Sequence, residues 1–322
     1  MRKNIFTKRL VKRVAIVIAC LVVGFAVVGS WFIGGMVADG ILHQNEDKDT
    51  HYNSIMQLEE WGYDTEGFEK TYSKTEISAT AEDGNVVPAN FYAGKNDEIV
   101  VLVHGAGGDR ACMYPLAEKY LEEGYGVISI DQRGSGSNPD DEVTFGIKER
   151  LDVEAMVAYA REELGADKVI VHGQSMGAQT AALYASNVST GSVETADAVV
   201  CDSPVPGMES LLKDMFGDGD RESFGAIYYT TVGKIYMQLV NHMSFDEADT
   251  IEVVKNDNIP TMVIVSTEDE LCMADEVKEV YDNIGCKDKA IMYVESEHIK
   301  GVIDDPNGYM EGVNSFLTGL GL

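Results

Sequence analysis

Ser175 stands in a short glycine-flanked sequence that is typical of a nucleophilic serine. Residues 173–177 read GxSxG, and they directly follow an apolar run over residues 169–171. A serine in a sharp strand-to-helix turn has strained backbone angles, so the residues two positions before and after it must be small. Gly173 and Gly177 meet this requirement, and the amino end of the next helix would favour negative charge at the serine. The pattern predicts a nucleophile elbow, against the alternative of an ordinary turn serine.

A nucleophilic serine needs two partners, because its hydroxyl is unreactive at neutral pH until a base takes the proton and a carboxylate orients that base. His298 follows an apolar run over residues 290–294, and Asp269 follows another over residues 262–265. The chain order serine, aspartate, histidine accompanies elbows of this kind. We therefore predict Ser175 as the nucleophile, Asp269 as the acid and His298 as the base.

Other carboxylates and imidazoles compete for the roles of acid and base. Glu268, Glu270 and Asp202 are alternatives for the acid, since each also follows an apolar run. His104 and His172 are alternatives for the base, but both adjoin glycine turns, which favours a structural role for them.

The elements that would position these side chains alternate regularly along the chain. The predicted strands are Thr75–Thr80, Val86–Tyr92, Ile99–Val103, Val127–Ile130, Val169–Val171, Ala198–Cys201, Met262–Val265 and Ala290–Val294. The predicted helices are Ala111–Glu123, Val143–Leu164, Gly177–Asn187, Ala274–Asn283 and Pro306–Leu317. Continuous Val and Ile runs joined by crossover helices indicate a doubly wound, mostly parallel α/β sheet, in which sites form beyond the carboxyl ends of strands.

The attack of Ser175 would create an oxyanion, which requires hydrogen-bond donors already in place. Residues 104–108 read His-Gly-Ala-Gly-Gly and follow the predicted strand Ile99–Val103. Such a turn can aim backbone N–H groups inward, and the N–H of Met176 is a natural second donor.

The N-terminal segment predicts a membrane anchor. Residues 1–13 hold six basic and no acidic side chains, and residues 14–38 carry no charge. Twenty-five apolar residues are enough helix to cross a hydrocarbon core of about 30 Å. The charge bias predicts a single-pass protein of the cell membrane with its N-terminus in the cytoplasm and the rest outside. A cleaved signal peptide is the main alternative, and a lipoprotein signal at Cys20 is a weaker one.

The overall charge narrows the range of partners. The chain has 25 Lys and Arg against 54 Asp and Glu, a net charge of −29 that disfavours nucleic acid binding. Its five cysteines show no CxxC spacing, so we expect neither a metal site nor a disulfide framework, although a bridge between Cys272 and Cys286 stays open.

The motifs together resemble those of the α/β-hydrolase superfamily. The resemblance covers residues 71–322, including an HGxG turn at 104–107, a DxRGxG-like sequence at 131–136, GxSxG, and the acid and histidine loops. It is most similar to the serine-aminopeptidase-like and monoacylglycerol-lipase-like branch, which includes bacterial membrane-anchored hydrolases. The resemblance implies an α/β-hydrolase fold, with Ala106 and Met176 as the oxyanion-hole donors. The acid loop departs from the family, because it lacks the glycine of the usual GxxD.

The resemblance also places a helical cap in the long insert between two strands. We expect this insert at about 204–250, after a juxtamembrane connector at 39–70 that could dock on the domain. The apolar residues of the insert recur partly at helical spacing. This spacing fits packing of the cap's own core and an apolar pocket for the acyl group equally well. Nearby acidic residues disfavour a strongly anionic substrate. Arg133 is expected to stabilise its loop rather than bind a substrate carboxylate.

These features predict a serine hydrolase that cleaves carboxylic esters through an acyl-serine intermediate, without a metal or organic cofactor. Its substrate would be a small ester or a short peptide with an apolar moiety, and residues 14–38 would contact the lipid bilayer. Peptidase or amidase activity is the alternative within the same chemistry. A non-catalytic surface interaction module is the alternative of a different class.

Overall fold

The structure is a computed structural model that describes residues 2–322, with side chains from residue 8 onward. The predicted basic tail, residues 1–13, therefore lies partly outside the described residues. The chain divides into two compact units. We call the residues up to Gly40 together with Leu212–Ser244 the anchor–insert unit, and Ile41–Leu211 with Phe245–Leu322 the sheet unit.

The sheet unit contains an eight-stranded sheet. Its strands are β1 Lys74–Thr80, β2 Val86–Tyr92, β3 Glu98–Val103, β4 Gly126–Ile130, β5 Lys168–Gln174, β6 Ala198–Asp202, β7 Thr261–Ser266 and β8 Lys289–Val294. Their order is β1-β2-β4-β3-β5-β6-β7-β8. Strand β2 runs antiparallel to both β1 and β4, and the strands from β3 to β8 pair in parallel. The carboxyl ends of β5, β7 and β8 therefore lie at one edge.

Helices cover both faces of this sheet. The helices of the chain are α1 Arg2–Leu42, α2 Thr50–Glu60, α3 Thr65–Thr71, α4 Tyr114–Glu123, α5 Glu149–Glu162, α6 Met176–Asn187, α7 Met208–Gly217, α8 Phe224–Tyr236, α9 Thr250–Val253, α10 Ala274–Asn283, α11 Gly301–Asp304 and α12 Pro306–Leu320. Residues of α5, α6 and α10 are buried in one apolar cluster, and residues of α4, α11 and α12 are buried in a second.

Alternation along the strands explains why two cores form. In β3, Val101 and Val103 belong to the first cluster, whereas Val100 and Leu102 belong to the second. Successive side chains of a strand point to opposite faces, so a strand that is apolar at every position must be covered on both sides. The predicted fold class, a mostly parallel doubly wound α/β sheet, is confirmed.

Residues 50–71 contain two short helices that pack within the sheet unit. Leu58 of α2 and Phe68 of α3 are both buried in the second apolar cluster. The Phe68 ring stacks on that of Tyr114, with 4.4 Å between ring centroids. Asp49 and Asp64 cap the amino ends of α2 and α3 by accepting hydrogen bonds from backbone N–H groups.

The anchor–insert unit combines the long N-terminal helix α1 with α8 and most of α7. From Lys8 to Leu42, α1 is long and apolar enough to cross a membrane. The insert ends in a π-helical turn at Met237–Asn241. Pro206, Gly207 and Met208 still belong to the sheet unit, so the insert leaves that unit part-way along α7.

One helix boundary differs clearly from its prediction. The helix expected over Val143–Leu164 begins only at Glu149. The Glu149 carboxylate accepts hydrogen bonds from the N–H groups of Thr144 and Gly146. Phe145 and Gly146 both have positive φ, so the chain here is a buried loop rather than helix.

Candidate active site

Ser175 lies in a strained turn between β5 and α6. Its φ of 57° and ψ of −121° are unusual for a residue other than glycine. The flanking glycines make this turn possible, because a Cβ on Gly173 would overlap the backbone carbonyl of Gly177. A Cβ on Gly177 would lie 2.5 Å from the His104 carbonyl oxygen and closer still to that of Val103. Strand β3 and helix α6 therefore approach each other through a gap that only glycine fits.

The structure brings the three predicted side chains together. His298 Nε2 lies 2.8 Å from Ser175 Oγ. On the other side of the ring, His298 Nδ1 lies 2.6 Å from Asp269 Oδ2. These distances let the imidazole accept the serine proton at one nitrogen while it donates from the other to the carboxylate.

The acid loop and the histidine loop are held side by side at the edge of the sheet. They follow β7 and β8, which are adjacent parallel strands. The Thr267 N–H donates to the Val294 carbonyl at 2.9 Å, and the Glu268 N–H donates to the Ser296 carbonyl at 3.1 Å. This backbone pairing extends beyond the strands and fixes the distance between Asp269 and His298.

Several hydrogen bonds keep Asp269 ionised although it is buried. Its Oδ1 accepts hydrogen bonds from the N–H groups of Leu271 and Cys272, both at 2.8 Å. Burial by itself raises the pKa of Asp269, but the hydrogen bond from His298 and those from the backbone outweigh it and bring the pKa below its usual value. A charged carboxylate thus faces His298 Nδ1 at neutral pH.

One predicted oxyanion donor, Met176, directly follows Ser175, and the other, Ala106, lies in a turn that contacts the serine through Gly105. Met176 opens α6, so its N–H belongs to the first turn, whose N–H groups have no partner within the helix. Gly105 lies against the serine, since a Cβ there would be 3.2 Å from Ser175 Cβ. Ala106 is the next residue of this turn.

His104, a rival candidate for the base, is committed to its own loop. Its Nδ1 lies 2.7 Å from the carbonyl oxygen of Gly105, and its Nε2 accepts a hydrogen bond from the Gln132 N–H at 3.0 Å. The Gln132 side chain donates to the His104 carbonyl at 2.5 Å. His104 therefore stabilises the turn that contains Ala106.

His172 and Asp202 take part in a separate buried network. The Tyr309 hydroxyl donates to Asp202 Oδ2 at 2.8 Å and lies 3.1 Å from His172 Nε2. The Tyr120 hydroxyl lies 2.9 Å from His172 Nδ1. Burial lowers the pKa of His172 to about 3, so this ring is neutral. The Gln174 amide also donates to Asp202 Oδ2, at 2.9 Å.

No sequence motif includes Tyr309, which lies in α12, after the loop that carries His298. The remaining alternatives for the acid, Glu268 and Glu270, are exposed. Of the four candidate carboxylates, Asp269 is the one that is hydrogen-bonded to His298.

Arg133 binds three carboxylates of the protein itself. Its guanidinium is almost fully buried, and it donates to both oxygens of Asp152 and both oxygens of Asp83. A further hydrogen bond joins it to Asp140 at 3.0 Å. These bonds tie the loop after β4 to α5 and to the hairpin between β1 and β2.

Asp269, Cys272 and His298 form the group of described residues whose ligand atoms could surround a metal ion, all within 4.8 Å of one another. Two of them are already hydrogen-bonded to each other. Burial raises the pKa of the Cys272 thiol, which disfavours the thiolate that a metal requires. The donor set therefore fits a hydrogen-bonded pair beside a neutral thiol better than a metal centre.

Cys286 and Cys272 are both free thiols, so the disulfide bridge left open by the sequence is not formed.

Comparisons with known proteins agree with this architecture. Residues 98–236 match the family described as alpha/beta hydrolase fold. "Methylesterase 18" of Arabidopsis thaliana is 37% identical over 28% of this chain and 35% of its own length. The chain thus spans about a third of that relative. "Uncharacterized protein YqkD" of Bacillus subtilis is 21% identical over 69% of this chain and 71% of its own length.

Two esterases are among the similar solved structures. Esterase Pf2001 of Pyrococcus furiosus has a TM-score of 0.63 and 21% identity, covering 80% of this chain and 94% of the esterase. The esterase EaEST of Exiguobacterium antarcticum has a TM-score of 0.55 and 16% identity, covering 76% of this chain and 100% of the esterase. Strand order, the matched segment and these neighbours together show that the chain has the α/β-hydrolase fold.

Proposed function

We propose that the protein is a membrane-anchored serine hydrolase that cleaves carboxylic esters. The observation that carries this proposal is the continuous set of hydrogen bonds from Ser175 through His298 to Asp269, built on a strained turn. A strained, partly exposed serine bonded to an imidazole is costly to maintain without a chemical role. Exposed turn serines in an interaction module need none of these features.

In the acylation step, the Ser175 Oγ attacks the carbonyl carbon of the ester while His298 Nε2 takes the hydroxyl proton. The carbonyl π electrons move to oxygen, and the N–H groups of Ala106 and Met176 would stabilise that oxyanion. Collapse of the tetrahedral intermediate breaks the bond to the leaving alkoxide, and His298 returns its proton to the alkoxide. The products of this step are an acyl-Ser175 ester and a free alcohol.

Deacylation repeats these steps with water in place of Ser175. His298 Nε2 removes a proton from water, and the resulting hydroxide attacks the acyl carbon. Collapse of the second intermediate releases the carboxylic acid and returns the proton to Ser175. Throughout the cycle, the charged Asp269 holds the imidazole in the required tautomer and stabilises its protonated form.

Carboxylic esters are favoured over amides by the comparisons. The two solved structures above are described as esterases and the plant relative as a methylesterase. Peptidase or amidase activity needs the same acid, base and nucleophile and differs in the leaving group. We retain it as the second candidate, since the branch that the motifs resemble includes serine aminopeptidase-like proteins.

The membrane location is supported by the length and exposure of α1. The candidate span runs from Lys8 to Leu42 and contains the uncharged residues 14–38, and none of its most apolar stretch is buried inside the protein. A basic segment precedes it, so we propose a single-pass anchor with the sheet unit outside the cytoplasm. Retention of the intact chain in membranes after an alkaline wash supports an anchor, whereas release of a shortened chain supports a signal peptide.

The hydrolase proposal is tested with the full chain in detergent micelles. A fluorophosphonate probe should label the wild type and leave Ser175→Ala unlabelled, with the same unfolding midpoint for both. Cys201→Ser is the matched control, because it changes a buried residue of β6, the strand next to β5. Absence of labelling in a folded wild type would overturn the proposal. Nitrophenyl esters of rising acyl length and aminoacyl anilides then distinguish an esterase from a peptidase.

A further inference from the structure

We propose that the insert docks on the surface of a lipid bilayer through α8, which packs along the outer part of the anchor helix α1. This inference rests on the proposed membrane anchoring and goes beyond it. An anchor alone tethers a protein to the membrane, whereas α8 would place the insert in contact with lipid.

Polar and aromatic side chains join α1 to α8 within the anchor–insert unit. The hydroxyls of Ser30 and Tyr228 lie 2.8 Å apart. The rings of Trp31 and Tyr236 are in contact, with 5.0 Å between their centroids. The two helices are thus in direct contact along part of their length.

Small residues let the two backbones approach closely. A Cβ on Gly34 would lie 2.5 Å from the Val232 carbonyl oxygen, and a Cβ on Gly233 would lie 2.6 Å from Val37 Cγ1. Glycine on both helices is a common feature of close packing inside and beside membranes. A larger residue at Gly34 or Gly233 would force the helices apart.

The position of these contacts along α1 corresponds to the outer boundary of the membrane. From Val14, the first residue after the basic segment, Ser30 lies about 24 Å along the helix and Val37 about 35 Å. The hydrocarbon core is about 30 Å thick. The contacts with α8 therefore straddle the level where hydrocarbon gives way to headgroups. Trp31 and Tyr236 fit that level, since Trp and Tyr are enriched there.

A stripe of α8 beside these contacts is apolar and exposed. Phe224, Ile227 and Ile235 are 81%, 44% and 48% exposed. Their spacing places them within about 80° of one another around the helix. The opposite side of α8, with Ala226 and Thr230, is buried. Because this stripe continues the apolar surface of a helix that would itself be in lipid, we infer that lipid covers it.

Depth measurement in a defined bilayer tests this inference. The full chain, with Cys20, Cys112 and Cys286 changed to Ser, receives a nitroxide label at Ile235→Cys in phosphatidylcholine nanodiscs. The matched control carries the label at Val193→Cys, an exposed apolar residue of the sheet unit. We expect the label at 235 to collide with dissolved oxygen more than with a water-soluble nickel reagent, and the label at 193 to show the reverse.

A second variant tests whether α1 holds α8 in place. Gly233→Leu should shift the label at 235 towards water while the chain stays in the bilayer. Gly319→Leu, at a helical glycine with nothing within 4 Å, should leave the label where it is. Equal nickel accessibility at 235 and 193 would overturn the inference.

The possible results also distinguish a failure of the lipid contact from a failure of the membrane anchor on which it rests. A chain that is washed from membranes overturns the anchor and the docking surface together. A chain that is retained with an aqueous label at 235 overturns the docking surface alone. Strong spin–spin broadening at 235, with both reagents excluded, would show that a second copy covers the stripe and would overturn lipid contact. None of these readouts depends on Ser175 activity.

Discussion

The glycine that follows Ser175 by two residues offers a sharp test of the elbow. Gly177 lies in the first turn of α6, where an alanine would ordinarily favour the helix by about 1 kcal/mol. Here the added Cβ would lie 2.5 Å from the His104 carbonyl oxygen and closer still to that of Val103. Carbon and oxygen atoms in ordinary contact are more than about 3 Å apart, so β3 and α6 must separate.

The size of the effect follows from that overlap. Overpacking of a close-packed interior costs about 1–3 kcal/mol and occasionally more. Subtracting the gain in helix propensity leaves a net loss of about 2 kcal/mol for Gly177→Ala at the upper end of that range. A displacement of about 1 Å also costs on the order of 100-fold in rate when it moves reacting groups. Since the obstructing carbonyls belong to the turn before Ala106, we expect activity to fall at least this far.

Gly319→Ala is the matched control for this substitution. Gly319 is also helical, and nothing lies within 4 Å of the position that its Cβ would take. We expect a small rise in the unfolding midpoint there and a clear fall for Gly177→Ala, measured on the full chain in detergent. The rate of fluorophosphonate labelling should change only for Gly177→Ala. An unfolding midpoint for Gly177→Ala at or above that of the control would refute the reasoning.

Three further predictions concern polar and charged side chains. Asp269→Asn presents an amide N–H to His298, so the imidazole takes the wrong tautomer. The rate of fluorophosphonate labelling should fall by about 10⁴-fold with unchanged circular dichroism. A loss below tenfold would contradict the role of Asp269. Tyr309→Phe removes a hydrogen-bond donor from Asp202 and should lower the free energy of unfolding by about 1–3 kcal/mol. An unchanged denaturation midpoint would show that the network does not stabilise the fold. The hydrogen bond from Arg133 lowers the pKa of Asp83 in the folded protein. This carboxylate therefore stabilises the fold fully at pH values above its unfolded pKa of about 3.9. The stabilisation is lost as the pH falls through the lower folded pKa. Asp83→Asn should therefore reduce the melting temperature more at pH 7 than at pH 2, as measured in thermal melts. An equal reduction at both pH values would exclude linkage.

The sequence predicted the sheet well because its physical cause is local. Strands covered on both faces are apolar at every position, and β3 shows this over its whole length. The prediction of helix over residues 143–148 was wrong, because side-chain hydrogen bonds decide the structure there. The apolar residues of this segment fit a helical period, but Glu149 folds back to bond the N–H groups of Thr144 and Gly146, and a side-chain contact of this kind overrides periodicity.

Strand ends also predicted the candidate site, since a parallel sheet brings its carboxyl ends to one edge whatever the sequence between them. The placement of Ser175, Asp269 and His298 as neighbours follows from that rule. The contacts of Tyr309 with Asp202 and His172 do not, because Tyr309 lies in a helix and not at the end of a strand. Such a contact depends on how a helix packs, and no motif encodes it.

Two buried carboxylates, Asp269 and Asp202, lie near the same imidazole, and their surroundings give them opposite properties. Burial raises the pKa of Asp202, and among the described residues its side chain accepts hydrogen bonds only from the uncharged Gln174 and Tyr309. Its Oδ1 has no hydrogen-bond partner among the described residues. Asp269 instead has a lowered pKa and bonds to both its oxygens. Two adjacent full charges would repel each other in a buried site. Burial thus opposes a charge on Asp202, whereas hydrogen bonds favour the charge on Asp269, which orients His298 towards Ser175.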